Sequence, residues 1–264
     1  MTITINKKEY PLHTLDTGAQ ELSKKRWDSI AKPLHSLGKM EDLVIQTAGI
    51  TGDANVTYEK KALIVMCADN GVVAEGVTQS EQNVTAIVSE NFLSDKATAA
   101  ILCKQTGAEI FPIDIGIAVD TKLENHKIAY GTKNMAKEPA MTREEAEKAM
   151  EVGIEKVREL SGQGYKIIAT GEMGIGNTTT SSALASYFLQ EDVEKMTGRG
   201  AGLTSKALEK KIAVVRKAIA DYSPAFTDAI DALAALGGFD IAGMAGVFLG
   251  GAIYRVPIVM DGFI

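Results

Sequence analysis

The stretch Tyr165-Lys166-Ile167-Ile168-Ala169-Thr170, continued by Gly171-Glu172-Met173-Gly174-Ile175-Gly176-Asn177-Thr178-Thr179-Thr180, reads as an apolar strand, a glycine-rich turn and, from Ser181 to Leu189, a helix. A short apolar run feeding a helix through such a turn is the unit from which parallel α/β sheets are built. Glycines at 171, 174 and 176 let the backbone approach a ligand and adopt positive φ, while Asn177 and the three threonines add side-chain donors beside the free N–H groups of a helix start. That combination suits an anion such as a phosphate. A Walker A loop would need Lys-Ser/Thr after the last glycine, and the dinucleotide fingerprint is not matched in its own order. Glu172 adds a carboxylate to the turn. The alternative for Glu172 is a structural acid at a helix N-terminus, where the macrodipole favours negative charge by about 0.3 to 1 kcal/mol.

Outward from this turn the same alternation repeats. Ala62 to Cys67 is a continuous apolar run with Asp69, Asn70 and Gly71 at its end, the pattern of a strand buried on both faces. Glu109 to Ile115 is a second strand, with Asp114 in its final part, and His126 to Gly131 a shorter third. Val256 to Gly262 is another strand ending in Asp261 and a glycine. Helices are expected over Thr14 to Ala31, Lys39 to Gly49, Gln82 to Phe92, Asp95 to Thr106, Thr142 to Ser161 with a Thr142/Glu145 capping box, and Ser205 to Ala220. The small-residue helix Phe239 to Gly251 suits close helix packing. The fold class is therefore α/β, a three-layer parallel Rossmann-like sheet with a small helical domain. Ligands in such sheets sit at the carboxyl ends of the strands, where the loops 69 to 80, 114 to 118, 171 to 180 and 261 to 262 gather.

Composition narrows the function. With 264 residues, 45% of them hydrophobic, and mean hydropathy +0.02, the chain suits one large core plus a small accessory domain. A net charge of -6 with scattered lysines gives no footprint for nucleic acid or an anionic membrane. Met1 to Pro11 lacks an apolar signal core, and no stretch supplies the roughly 18 apolar residues of a membrane span, so a cytoplasmic address without a membrane anchor is expected. Cys67 and Cys103 read as buried reduced thiols. His13, His35 and His126 are far apart and without ligand spacing, so zinc or iron is not expected; no cofactor is expected either.

Six separate blocks in one order then carry a resemblance: Lys32-Pro33 with Ser36-Leu37-Gly38; Ala68-Asp69-Asn70-Gly71-Val72 with Glu75-Gly76-Val77; Gly171 to Thr179; Gly198-Arg199-Gly200 followed by Lys211-Ile212; Gly237-Gly238; and Asp261-Gly262-Phe263-Ile264. Across nearly its whole length the chain resembles the nicotinate-nucleotide:dimethylbenzimidazole phosphoribosyltransferases, which make the lower-ligand nucleotide of cobamides. The resemblance implies a homodimer that exchanges nicotinate on nicotinate mononucleotide for a benzimidazole, giving α-ribazole 5'-phosphate. It implies that residues 1–50 form the N-terminal helical part of the small domain and 51–264 the parallel nucleotide-binding domain, with the family's C-terminal helices missing.

Carried over residue by residue, Gly174, Gly176, Asn177, Thr178 and Thr179, with Gly200 and Gly202, would hold the ribose phosphate, with Lys211 as cationic partner. Lys211 reads equally well as part of a solvated basic face with Lys206 and Lys210. The resemblance places Glu172 near the reacting base or ribose, Ser80 and Gln82 in the segment lining the benzimidazole pocket, and Asp69 and Asp261 among the binding residues. The family's general base resembles a glutamate in a Gly-Glu-Gly motif beyond Asp261 to Ile264, where this chain ends, leaving Glu172, Asp69 or Asp261 as substitutes. Alternative expectations are a truncated, weakly active form, a non-catalytic nucleotide-binding subunit, or the same transfer to a phenolic or purine base.

Overall fold

The computed structural model describes residues 1–264. The chain opens with an antiparallel hairpin, β1 (Thr2–Ile5) and β2 (Lys8–Pro11), turned by Asn6 and Lys7 at positive φ. Two helices follow, α1 (Thr17–Asp28) and α2 (Lys39–Thr51), packed on each other. Helix α1 starts three residues later than its sequence pattern implies because the Asp16 carboxylate accepts from the Ala19 N–H and fixes the N-cap there.

The body is one five-stranded parallel sheet. Its strands are β3 (Lys61–Ala68), β4 (Ala108–Gly116), β5 (Glu124–Asn125), β6 (Ile167–Met173) and β7 (Ile258–Val259), in the spatial order β5-β4-β3-β6-β7. From β3 the chain winds outward through β4 to β5, then returns to the other side of β3 for β6 and β7. The reversal lies between β3 and β6, so their carboxyl ends flank the crevice where an open sheet of this kind takes its ligand.

As the unbroken apolar run implies, β3 is buried on both faces. Ala62, Ile64, Met66 and Ala68 face the main core, covered by α5 (Arg143–Gly162) and α10 (Phe239–Tyr254). Val65 and Cys67 face a smaller cluster with Phe92, Ile117 and Leu123, against which α3 (Val84–Asn91) and α4 (Thr98–Thr106) pack. Helix α5 begins with the expected capping box, Thr142 and Glu145 satisfying each other's backbone N–H.

Four further boundaries differ from the sequence pattern, each for a definite structural reason. Strand β6 starts at Ile167 because Gly164, at φ 88°, turns the chain so that the Tyr165 N–H closes the end of α5 on the Leu160 carbonyl. It runs on through Met173 because Gly171, Glu172 and Met173 stay in register with Val65, Met66 and Cys67. Glu172 is thus the penultimate residue of a strand rather than part of the turn. Helix α6 (Asn177–Leu189) absorbs the threonine run expected in the loop, since the Thr180 and Ser182 hydroxyls bond the helix's own carbonyls at Asn177 and Thr178. Residues 126 to 131 leave the sheet after two bonds to β4, His126 N–H to Asp114 and Ile128 N–H to Ile115, as Lys127 turns inward onto the Asp114 carboxylate.

Candidate functional site at the switch point of the sheet

Between β6 and α6 the turn reduces to Gly174, Ile175 and Gly176. Gly176 sits at φ 95°, a conformation that favours glycine, and caps α6. A side chain there would press on Val73 and Asn70, so β3's exit and the turn are in contact. The Ile175 N–H is held by Thr85 Oγ1 at 3.1 Å, whereas the Gly176 and Thr178 N–H groups find no partner within the chain.

Facing this helix start is Lys211, on α8 (Ser205–Tyr222). It is fully buried, and its Nζ donates to Thr178 Oγ1 at 2.7 Å and to the Gly198 carbonyl at 3.2 Å. No carboxylate pairs with it, and burial lowers its pKa to about 8. Gly200, at φ 52°, completes the cradle: a Cβ there would lie 3.1 Å from Thr178 Oγ1 and 3.7 Å from Lys211 Nζ. A buried cation bonded only to neutral oxygens, beside open helix N–H groups, is built to receive an anion.

Behind the turn lies a carboxylate pair. Asn177 Nδ2 donates both to Glu172 Oε2 and, at 2.9 Å, to Asp240 Oδ2 in the first turn of α10. Burial, and then the neighbouring Asp240 charge, raise the Glu172 pKa to about 7 against the pull of the Asn177 amide. Complete burial likewise pushes Asp240 upward, against its bonds from Asn177 and the Ile241 N–H. Gly174 and Gly238 lie so close that a Cβ on either would collide with the Asp240 carboxylate.

The structure brings together Glu172, Gly174, Gly176, Asn177, Thr178, Gly200 and Lys211. Thr179 is part of α6 and fully buried, its hydroxyl without a partner. Gly202 touches the site's rim, its carbonyl accepting from Gln79 Nε2 at 2.5 Å, a bond that ties the segment carrying Ser80 and Gln82 to the 198–202 loop. Ser80 bonds only backward, its N–H to Thr78 Oγ1, and the Gln82 carbonyl accepts the Thr85 N–H at the start of α3.

Asp69 is buried at the end of β3, where its Oδ2 holds the Ala118 N–H at 2.9 Å and its carbonyl the Thr132 N–H at 3.0 Å, stitching three loops together. Burial raises its pKa. Asp261 is exposed and lines instead a groove of about 400 Å³ with Leu63, Leu102, Cys103 and Met260, none of which belongs to the Lys211 cradle. Sequence reasoning missed Asp240 and Gln79. The available signal for Asp240 was that it is the single charged residue in the otherwise apolar segment from Phe239 to Tyr254.

An open parallel sheet whose switch point carries a glycine turn and a buried cation has the build of an α/β nucleotide-handling protein. Residues 12–264 match the phosphoribosyltransferase family, and the chain belongs to it. It is 50% identical to the nicotinate-nucleotide–dimethylbenzimidazole phosphoribosyltransferase of Clostridium acetobutylicum over 96% of this chain and 73% of that protein. Its identity to the protein of that name from Acetivibrio thermocellus is 49%, over 92% of this chain and 70% of that protein. The crystal structure of CobT from Thermus thermophilus superposes with a TM-score of 0.87 at 34% identity, over 93% of this chain and 75% of that one.

Proposed function

We infer that this chain transfers the phosphoribosyl group of nicotinate mononucleotide to 5,6-dimethylbenzimidazole or a related base, releasing nicotinate and giving α-ribazole 5'-phosphate for the cobamide nucleotide loop. Family membership over nearly the whole chain supports the reaction. The observation that carries the site is Lys211, a fully buried ammonium bonded only to a hydroxyl and a carbonyl at a helix start.

In this reading the 5'-phosphate takes the place between the Gly176 and Thr178 N–H groups, the Thr178 hydroxyl, Gly200 and Lys211. The pyridinium of the substrate is already cationic, so nicotinate departs without protonation as positive charge builds on the ribose. One benzimidazole nitrogen attacks the anomeric carbon while the other gives up its proton. Glu172, raised to about 7, has the basicity a general base needs near neutrality, a contribution of typically about 10²–10⁴-fold. Ser80 and Gln82, on the segment tethered by Gln79, would line the pocket for the incoming base. No metal or cofactor enters these steps. We place the protein in the cytoplasm as a homodimer; no helix is long and apolar enough to cross a membrane.

Titration calorimetry with nicotinate mononucleotide tests the site. Lys211→Ala should weaken binding roughly 10- to 100-fold, the worth of a hydrogen bond to a charged group. Unchanged affinity would remove the phosphate from this cradle. Nicotinate release that depends on added dimethylbenzimidazole tests the transfer, and sedimentation tests the dimer.

A further inference from the structure

Asp240 is the buried charge that the reaction outlined above leaves unused. It is completely enclosed, its Oδ2 shares the Asn177 Nδ2 with Glu172, and its Oδ1 accepts the Ile241 N–H at 3.0 Å. Gly174 on one side and Gly238 on the other press backbone against it, so the carboxylate cannot swing away from the shared amide. Asn177 is in turn fixed by its place at the start of α6 and by its N–H bond to the Gly174 carbonyl at 3.1 Å. An amide nitrogen with two protons can serve two carboxylate oxygens at once, but it brings no charge to separate them. Two carboxylates held against one neutral group and largely shielded from water do not both ionise freely, because the charge on one opposes ionisation of the other.

The other titratable groups nearby do not supply the missing positive charge. On β3, the Cys67 thiol is raised to about 12 by burial and stays neutral, while Asp69 beyond it bonds the Ala118 N–H. On β4, Asp114 is matched by Lys127. On α8, Lys211 bonds Thr178 and Gly198 rather than either acid. Helix α6 offers no titratable side chain toward the pair except through Asn177, and Asp240 is the sole charged residue of α10.

We propose that Asp240 is a positioning residue for the transfer reaction: held beside Glu172 by the shared Asn177 amide, its negative charge opposes that of Glu172 and so sets the pH at which Glu172 becomes a free carboxylate available to the incoming base. The role of Glu172 toward that base rests on the reading under Proposed function; the charge coupling does not. Without Asp240, Glu172 would ionise at lower pH and be a weaker base at neutrality.

The test is carboxyl carbon NMR on protein labelled at the Asp and Glu carboxyl groups, titrated from pH 4 to 9. In Asp240→Asn the Glu172 midpoint should fall by about one pH unit or more, the size of a coupled pair's interaction. In Asp240→Glu, which restores the acid, it should return toward the native value. Glu172→Gln provides the reciprocal measurement should the Asp240 variants fail to fold, and there the Asp240 midpoint should fall. A merely structural Asp240 would leave the Glu172 midpoint where it is in Asp240→Asn, and that result overturns the proposal, as does an unmoved Asp240 midpoint in Glu172→Gln. Where turnover is measured, the acid limb of the pH–rate profile should move with the Glu172 midpoint while the KM for nicotinate mononucleotide holds. Failure of the functional reading shows separately, as absence of calorimetric binding by the native protein.

Discussion

At Lys211, burial and ligand binding pull the same proton in opposite directions. Without an anion the ammonium is disfavoured, and the side chain loses its proton near pH 8. A phosphate against it would favour the charged form, so binding above pH 8 must draw a proton from solution. Affinity for nicotinate mononucleotide should therefore be level from pH 7 to 8 and fall about tenfold per pH unit above that, until the pKa of the bound state is reached. Lys211→Met should bind weakly with no such bend, which calorimetry across pH 7 to 10 will show; a bend that survives the substitution belongs to another group. At this scale the cradle was largely legible, because glycines at 174, 176 and 200 and a lysine after the Gly198-Arg199-Gly200 loop announce themselves as residue types. The choice between a solvated and a buried Lys211 was not legible, since it depends on how α8 docks against Thr178 and Gly198. Asp240 was missed for the same reason: its partner Asn177 is 63 positions away, and only the packing of α10 brings the two together.

Among the elements, the crossing of α5 and α10 fixes the layer behind the site. Gly246 lies so close to the Met150 backbone, and Gly153 to the Gly243 carbonyl, that a Cβ on either would overlap main-chain atoms. Backbone cannot rotate aside as a side chain can, so Gly246→Ala should cost near the upper end of the roughly 1–3 kcal/mol of overpacking, offset by about 1 kcal/mol of helix propensity. A net loss of about 2 kcal/mol in urea unfolding is expected. Gly162→Ala, which meets nothing within 4 Å, is the control and should be neutral or slightly stabilising. The packing role of Gly243 and Gly246 was legible from their spacing among alanines in 239 to 251, as were the central strands from their apolar runs. Boundaries were less so. Glu172 belongs to β6 because β3 continues beside it, and the threonine run belongs to α6, where Thr180 bonds back to the Asn177 carbonyl and Thr178 takes the Lys211 ammonium, facts that depend on partners the local sequence does not name.

For the whole molecule, one edge of the sheet concentrates three charges that folding disfavours, and together they shape stability against pH. Glu172, raised to about 7, and Asp240, also raised, keep protons in the folded protein that the unfolded chain has already lost above its carboxylate pKa of roughly 4. Across that window the unfolded state binds fewer protons, so stability falls as pH rises toward 7. Lys211 acts with the opposite sign: between its folded value of about 8 and its unfolded value of roughly 10.4 the unfolded chain binds more protons, and stability recovers by up to about 1.4 kcal/mol per pH unit. These three terms alone would place a trough between pH 7 and 8, where the functional edge is most highly charged. Cys67 works against the recovery, because its buried thiol, raised to about 12, stays protonated while an unfolded thiol ionises near pH 8.5. The Lys211 effect is therefore best read as the difference between native protein and Lys211→Met in denaturant midpoints from pH 5 to 10. That difference should be constant below pH 8, with the variant the more stable because it removes a buried unpaired charge, and should close as the native protein recovers above it. Curves that stay parallel through pH 10 would mean that Lys211 is solvated, and a solvated lysine could not hold the phosphate in the manner inferred here.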